Sequence, residues 1–204
     1  GLRRVVISGL GALTPIGNDV NTLWASLVDG VSGAGPITRF NAEKFKTKFA
    51  CEVKGYDPLN FFDKKEVRKY DLFSQFGIVA ADEAINDSGF KQGNYNPERV
   101  GVIWASGIGG IMTLTEEIRA YVTGDGTPRF SPFFIPKMIS DITSGHIAIK
   151  HGFMGPNFST VSACASSANA IVDAFNNIQR GKADIIITGG SEASISEAGI
   201  GGFN

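Results

Sequence analysis

A cysteine set among small residues is the first place in this sequence where chemistry could reside. The run is Thr160-Val161-Ser162-Ala163-Cys164-Ala165-Ser166-Ser167-Ala168-Asn169-Ala170. Phe158–Val161 has the aromatic and β-branched character of a strand, and Ala165–Gln179 reads as a helix. Cys164 therefore falls at a strand-to-helix junction, an arrangement similar to a nucleophile elbow with sulfur in place of oxygen. Ala163 and Ala165 leave room for a substrate beside the thiol. The first-turn amides of the helix point toward the sulfur, where they can stabilise a thiolate and the oxyanion of an acyl transfer. A helix terminus supplies at most about 2 kcal/mol even when partly buried, so the mechanism needs a base or a polarising partner as well. The same residues also suit a buried structural cysteine, because small side chains permit ordinary strand–helix packing. The other cysteine, Cys51, lies between Phe49-Ala50 and Val53 in an extended piece and reads as core.

The elements that must position Cys164 follow from periodicity and punctuation. Arg4–Leu10, Val100–Ser106, Phe158–Val161 and Ala183–Thr188 read as strands, with a short extended piece at Lys48–Val53. Asp19 is placed to cap a helix bearing Leu23, Trp24 and Leu27, which Gly30 ends. Asp63 precedes a short basic helix at Lys64–Lys69. Asp71 precedes a longer helix, with Leu72, Phe73, Phe76, Val79, Ala80 and Ile85 on its apolar face and Gly89 as its stop. Thr113–Val122 and Lys137–Lys150 read as further helices, separated by a stiff aromatic loop at Ser131–Pro136. Strands alternate with helices throughout, which argues for a mostly parallel sheet covered by helices.

Composition narrows the classes. The chain has 204 residues with a net charge of -1, so neither overall charge nor any long basic run points to nucleic acid. Its 2 cysteines in unlike contexts are not a disulfide scaffold and read as thiols of a reducing compartment. The apolar runs are strand-length, so no membrane span is expected. Leu2-Arg3-Arg4 leads directly into a strand without the features of a signal peptide, which makes the cytoplasm the default. The chain stops at Gly199-Ile200-Gly201-Gly202-Phe203-Asn204, soon after a strand and a glycine-rich turn, and is expected to be part of a longer protein.

The segment from Gly155-Pro156 through Ser162-Ala163-Cys164-Ala165-Ser166 resembles the active-site signature of the β-ketoacyl synthases. Other segments of that family's pattern occur in order: Arg3–Gly11 with Thr14-Pro15-Ile16-Gly17, Gly107-Ile108-Gly109-Gly110, Ser131-Pro132-Phe133-Phe134 and Gly189-Gly190-Ser191-Glu192. The resemblance covers residues 1–204 and favours the bacterial type II elongating synthases over thiolases and over the initiating synthases that use acyl-CoA. It implies an α/β fold of the thiolase-like layered αβαβα kind. This chain would supply the N-terminal half, a mostly parallel mixed sheet covered by helices.

The resemblance also implies a reaction. An acyl group moves from the phosphopantetheine of acyl carrier protein to Cys164 and is then extended by decarboxylative condensation with malonyl-acyl carrier protein. No metal and no tightly bound cofactor is expected, since the phosphopantetheine arrives on the carrier. Ala163 and Ile108 would line the acyl pocket, with Ile108 at its floor, although plain core packing is the other reading of Ile108. Phe134 would reach the pocket of a partner copy in a homodimer built through Phe158–Val161. Lys64, Lys65, Arg68, Lys69 and Arg129 would dock the acidic carrier protein, or else form a solvated basic face partly neutralised by Asp63 and Glu66. The two histidines and the lysine that the family uses are expected in the other half of the duplicated fold. His146 and His151 flank the helix before the active-site strand and read as surface or cap residues.

Three alternatives stay open. A polyketide-type synthase has a similar signature, and a thiolase or a non-catalytic partner subunit shares the fold. A dinucleotide-binding dehydrogenase is opposed by Thr14 standing where its third glycine belongs.

Overall fold

A computed structural model describes residues 1–91 and 93–204. Three parallel strands form its centre: β3 (Val100–Ala105), β4 (Asn157–Phe158) and β5 (Ile185–Gly190), in the order β4-β3-β5. A separate antiparallel pair, β1 (Gly35–Pro36) and β2 (Phe49–Ala50), lies outside this sheet. Helices α1 (Val20–Val28), α2 (Lys64–Lys69), α3 (Leu72–Ser88) and α4 (Ile111–Thr123) come from the first two-thirds of the chain. Helices α5 (Phe134–Met138), α6 (Ile142–His151), α7 (Ser166–Gln179) and α8 (Glu197–Phe203) follow.

Every residue of β3 is buried, and its alternation explains the layers. Val100, Val102 and Trp104 face one way, into a core with Ile78, Val79 and Ile85 of α3 and Ile147 of α6. Ile103 and Ala105 face the other way, onto Ala170 and Ala174 of α7. The sheet is thus covered on both sides, as its all-parallel pairing requires. Small residues on α7 bring that helix close to the strands.

Caps fix where the helices begin. Asp19 accepts from the Thr22 amide at 2.8 Å. Asp63 accepts from the amides of Lys65 and Glu66, while Glu66 returns a bond to the Asp63 amide, completing a capping box on α2. Asp71 is 3% exposed and holds two helices at once. Its Oδ1 accepts from Phe73 N at 3.1 Å in α3, and its Oδ2 accepts from Thr113 N at 3.0 Å and Thr113 Oγ1 at 2.6 Å in α4. Gly89 ends α3 in the left-handed conformation expected of a glycine C-cap.

Four expectations need correction. Arg4–Leu10 carries no sheet ladder, and Val6 and Ile7 are 65% and 80% exposed. The following residues instead give their amides to carboxylates of α3, Leu10 N to Asp87 and Ala12 N to Glu83. Contact with α3 is close enough that a side chain at Gly11 would put its Cβ 1.8 Å from Ala80 O. The Phe158–Val161 strand pairs only at its start, because Thr160 and Ser162 turn their hydrogen bonds to Ser166. The helix anticipated over Lys137–Lys150 is two helices, and the aromatic loop before it is helical from Phe134. The chain is extended at Ile139, and Met138 O accepts from Gly110 N. Finally, α8 was not anticipated, although Ser196 caps it by accepting from Gly199 N at 3.1 Å.

The shared cap gives a stability prediction. Asp71→Ala should destabilise the full-length protein by about 2–4 kcal/mol, the loss of two N-terminal caps in a buried setting. Asp71→Asn, which keeps an acceptor, should cost less. Chemical denaturation of the three proteins measures both; equal stability of the alanine variant and the parent would contradict the double-cap role.

Candidate active site

Three chain turns meet at the C-terminal ends of the parallel strands, the usual location of a site in open α/β sheets. Beyond β3 comes Ser106-Gly107-Ile108-Gly109-Gly110. Beyond β5 comes Ser191-Glu192. Between β4 and α7 lies a single 3₁₀ turn, Ala163–Ala165, which carries Cys164. Together they surround a cleft of about 440 Å³, lined among others by Ile108, Ala163, Cys164, Ser167, Glu192 and Phe203. The Cys164 thiol is free and exposed.

The turn under Cys164 is strained and tightly tied. Ala163 has φ +52°, the one positive φ outside glycine among the described residues. A left-handed non-glycine residue persists only where its surroundings over-determine it, and Ser166 supplies that constraint. Its buried hydroxyl accepts from Ser162 N at 2.8 Å and donates to Ala163 O at 2.7 Å. Thr160 Oγ1 donates to Ser166 O at 2.9 Å, and Asn169 Nδ2 donates to Ser162 Oγ at 2.6 Å. Cys164 therefore precedes α7 as expected, but on a 3₁₀ turn separated from the end of β4 at Phe158 by irregular chain, with the strain one residue before the sulfur.

The glycine-rich turn beyond β3 comes just as close. A Cβ on Gly107 would lie 2.8 Å from Glu192 Oε2 and 3.3 Å from Ala163 O, so glycine lets this turn sit close to the peptide that carries Cys164 without displacing either. Gly109 has φ +68° and faces Met138 O. Glu192 accepts from Ser106 Oγ at 3.0 Å, Gly107 N at 2.8 Å and Ile108 N at 3.3 Å.

Of the residues expected at the site, Cys164, Ala163 and Ile108 come together. Ile108 is 41% exposed and lines the cleft, which disfavours plain core packing. Phe134 does not line it. It stacks on Phe130, with ring centroids 5.5 Å apart. Lys64, Lys65, Arg68 and Lys69 are exposed on α2, and Arg129 is exposed 3.8 Å from Asp125; none of them lines the cleft.

Cys51 is exposed rather than core, since β2 pairs only with the two residues of β1 and no sheet covers it. It lines a smaller cleft of about 210 Å³ that Glu192 also lines. His146 lies inside α6 rather than beside it. Its ring packs 4.5 Å from that of Tyr70, its Nε2 has no hydrogen-bond partner, and burial, helped by the charge of Lys69, holds its pKa below the ordinary histidine range. His151 closes α6 and pairs with Asp82 at 2.7 Å. Neither histidine lines the cleft. Among the described residues, no group of three or more His, Cys, Asp and Glu side chains could hold a metal ion. Sequence reasoning missed the roles of Ser166, Glu192 and Phe203. The acidic residue two positions after a strand-ending Gly-Gly pair was the available signal for Glu192.

Comparison with known proteins bears on this geometry. Residues 2–204 match the family model described as beta-ketoacyl synthase, N-terminal domain. The 3-oxoacyl-acyl-carrier-protein synthase 2 of Staphylococcus aureus (strain N315) is 45% identical over 202 residues, 99% of this chain and 49% of that protein. The protein of the same description from Synechocystis sp. is 44% identical over 201 residues, 98% of this chain and 48% of that protein. The chain thus spans about half the length of the curated relatives it matches. Among solved structures, the ishigamide ketosynthase/chain length factor superposes with TM-score 0.85 at 27% identity, over 98% of this chain and 50% of that one. A type II polyketide synthase acyl-carrier protein in complex with its ketosynthase superposes with TM-score 0.84 at 22% identity, over 100% and 55%, a likeness of fold alone. With a free thiol on a strained turn inside such a fold, and a family match running from residue 2 to residue 204, the chain belongs to the beta-ketoacyl synthase family.

Proposed function

We propose that the full-length protein containing this chain is a condensing acyltransferase that loads an acyl group onto Cys164 and lengthens it by two carbons. The observation that carries this reading is the exposed thiol on the Ala163–Ala165 turn, facing a cleft that also holds Ile108. In the first half-reaction, the sulfur attacks the thioester carbonyl of acyl-acyl carrier protein. The carbon–sulfur bond to phosphopantetheine breaks, and the free pantetheine thiol leaves with a proton. In the second, malonyl-acyl carrier protein loses carbon dioxide and its enolate carbon attacks the acyl-enzyme carbonyl. A carbon–carbon bond forms, and the bond to Cys164 breaks as 3-ketoacyl-acyl carrier protein departs. Splitting one hard step into two is the advantage of the covalent intermediate. The family's chemistry calls for no resident cofactor, because the phosphopantetheine travels with the carrier.

The residues of this chain contribute attack geometry and the shape of the pocket. In this reading Ile108 and Ala163 bound the acyl chain, and Phe134 reaches the pocket of a second copy in a homodimer. Lys64, Lys65, Arg68, Lys69 and Arg129 meet the acidic carrier protein; all five are exposed, so they are free to steer its approach. No helix among the described residues is long and apolar enough to cross a membrane, and a cytoplasmic enzyme of fatty acid elongation is the setting proposed. A polyketide-type synthase is the second reading, favoured by the superposition on the ishigamide ketosynthase/chain length factor. The identities of 45% and 44% to 3-oxoacyl-acyl-carrier-protein synthases support fatty acid elongation instead. Product analysis with malonyl-acyl carrier protein separates them: one round of two-carbon extension fits the first reading, and a poly-β-ketone chain fits the second.

Three variants of the full-length protein test the site. Cys164→Ala should abolish acyl loading and leave folding intact, and an acyl adduct on that variant by intact mass would overturn the assignment. Ile108→Phe should block tetradecanoyl loading and spare hexanoyl loading, so equal rates with both would remove Ile108 from the pocket. Ala163→Gly should relieve about 1–2 kcal/mol of backbone strain and return up to about 1 kcal/mol as chain entropy. Its melting temperature should hold or rise while single-turnover loading slows. Faster loading would show that the strained turn does not position the thiol.

A further inference from the structure

We propose that Glu192 is a positioning residue that sets the floor of the acyl cleft, and through it chain-length selection, by clamping the turn that carries Ile108. The proposal rests on reading the cleft as an acyl site and assigns a role to a side chain that the loading chemistry does not use.

The turn Ser106-Gly107-Ile108-Gly109 leaves a strand and presents three successive amides that no ladder satisfies. All three are accounted for by two side-chain groups. Glu192 Oε2 accepts from Gly107 N at 2.8 Å and from Ile108 N at 3.3 Å, while its Oε1 accepts from Ser106 Oγ at 3.0 Å. Ser106 Oγ in turn accepts from Gly109 N at 3.0 Å. Successive amides turned to one side form a concavity suited to an anion, and here the anion is part of the chain. No Lys or Arg forms an ion pair with Glu192 among the described residues. Its negative charge is instead directed at the amides.

Two further contacts make the clamp directional. Glu192 is anchored beside β5, because Ser191 N donates to Ala105 O at 3.0 Å and Trp104 Nε1 donates to Ser191 Oγ at 3.0 Å. The turn it holds is also pressed against the catalytic peptide, since a Cβ on Gly107 would meet Ala163 O at 3.3 Å. A shift of Glu192 is therefore transmitted to Ile108 on one side and to the Ala163-Cys164 peptide on the other. Both carboxylate oxygens are engaged as acceptors, which argues for positioning rather than proton transfer. The residue also borders both the Cys164 cleft and the smaller cleft beside Cys51, as Ser194 does.

The test uses the full-length protein and begins with the unaltered enzyme. If intact mass shows no acyl adduct on its Cys164, the functional reading fails, independently of Glu192. Given loading, the ratio of hexanoyl to tetradecanoyl loading rates is compared in Glu192→Ala and Glu192→Gln, together with hydrogen exchange at the Gly107 and Ile108 amides. Glutamine can accept from both amides through its carbonyl and donate to Ser106 Oγ through its NH₂. Glu192→Gln should therefore keep the ratio and the amide protection. Glu192→Ala should change the ratio by roughly three- to tenfold, the scale of one lost hydrogen bond, with faster exchange at both amides. A Glu192→Ala enzyme that keeps the ratio while losing stability or overall rate would show a merely structural residue and overturn the proposal. So would a changed ratio in Glu192→Gln with both amides still protected. Should Glu192→Ala fail to fold, Ser106→Ala removes the bonds from Ser106 Oγ to Glu192 and from Gly109 N to Ser106 Oγ, and an unchanged ratio there overturns the proposal equally.

Discussion

The parallel pairing of β3 with β5 governs the geometry of the whole site. Its register runs from Val100 opposite Ile185 to Ala105 opposite Gly190 without interruption. Two chains leaving a sheet side by side, in the same direction and at the same level, must put their next residues within reach of each other. Ser106-Gly107-Ile108 and Ser191-Glu192 are those residues, and the bond from Ser191 N to Ala105 O is the first contact beyond the ladder. Moving the register by one residue would carry Glu192 away from the three donors it meets, and would turn the side chains of β3 toward the wrong layers.

The same pairing dictates what covers the sheet. A fully buried parallel strand needs helices on both faces. On the α7 side, Ala170 and Ala174 let the helix approach the strands closely, and that approach leaves its first turn beside the strand exits. Cys164 is presented just ahead of that turn. On the other side, α3 packs through Ile78, Val79 and Ile85. It also carries Glu83 and Asp87 toward the N-terminal segment and Asp82 toward the end of α6. One helix thus contributes to the core with its apolar face and organises two neighbouring segments with its carboxylates.

Much of this was legible in the sequence because the signals were local. Asp19, Asp63 and Asp71 announced their helices through a carboxylate placed to meet free amides, and Gly89 announced an end. The local residues left Cys164 open between a reactive and a structural thiol, and the family resemblance favoured the first; the structure leaves the thiol exposed. What failed was read from residue type without a partner. Arg4–Leu10 has strand composition, but a strand exists only where another lies beside it, and here only Leu10, at the end of the segment, gives its amide to α3. Cys51 was judged by the apolar residues next to it, although the extended pieces around it are too short to cover it. Glu192 was visible as a motif, yet its role is a contact across 85 residues with Gly107, which no local pattern encodes.

Strain and clamping at the site are two parts of one arrangement. The left-handed Ala163 costs energy that a free chain would release. It is held by Ser166 from one side and crowded by the Gly107 turn from the other, and that turn is itself held by Glu192. Each constraint is short-range, and in each a side-chain oxygen of Ser166 or Glu192 grips backbone groups of the turn it holds. A side chain that engages several partners at once leaves little slack, because leaving its rotamer breaks all of those bonds together. The turn bearing Cys164 and the turn bearing Ile108 are thereby tied to each other. In the acyl-transfer reading proposed above, where a carbonyl must reach the sulfur while the cleft measures the chain behind it, this arrangement would join reactivity and selectivity in one unit.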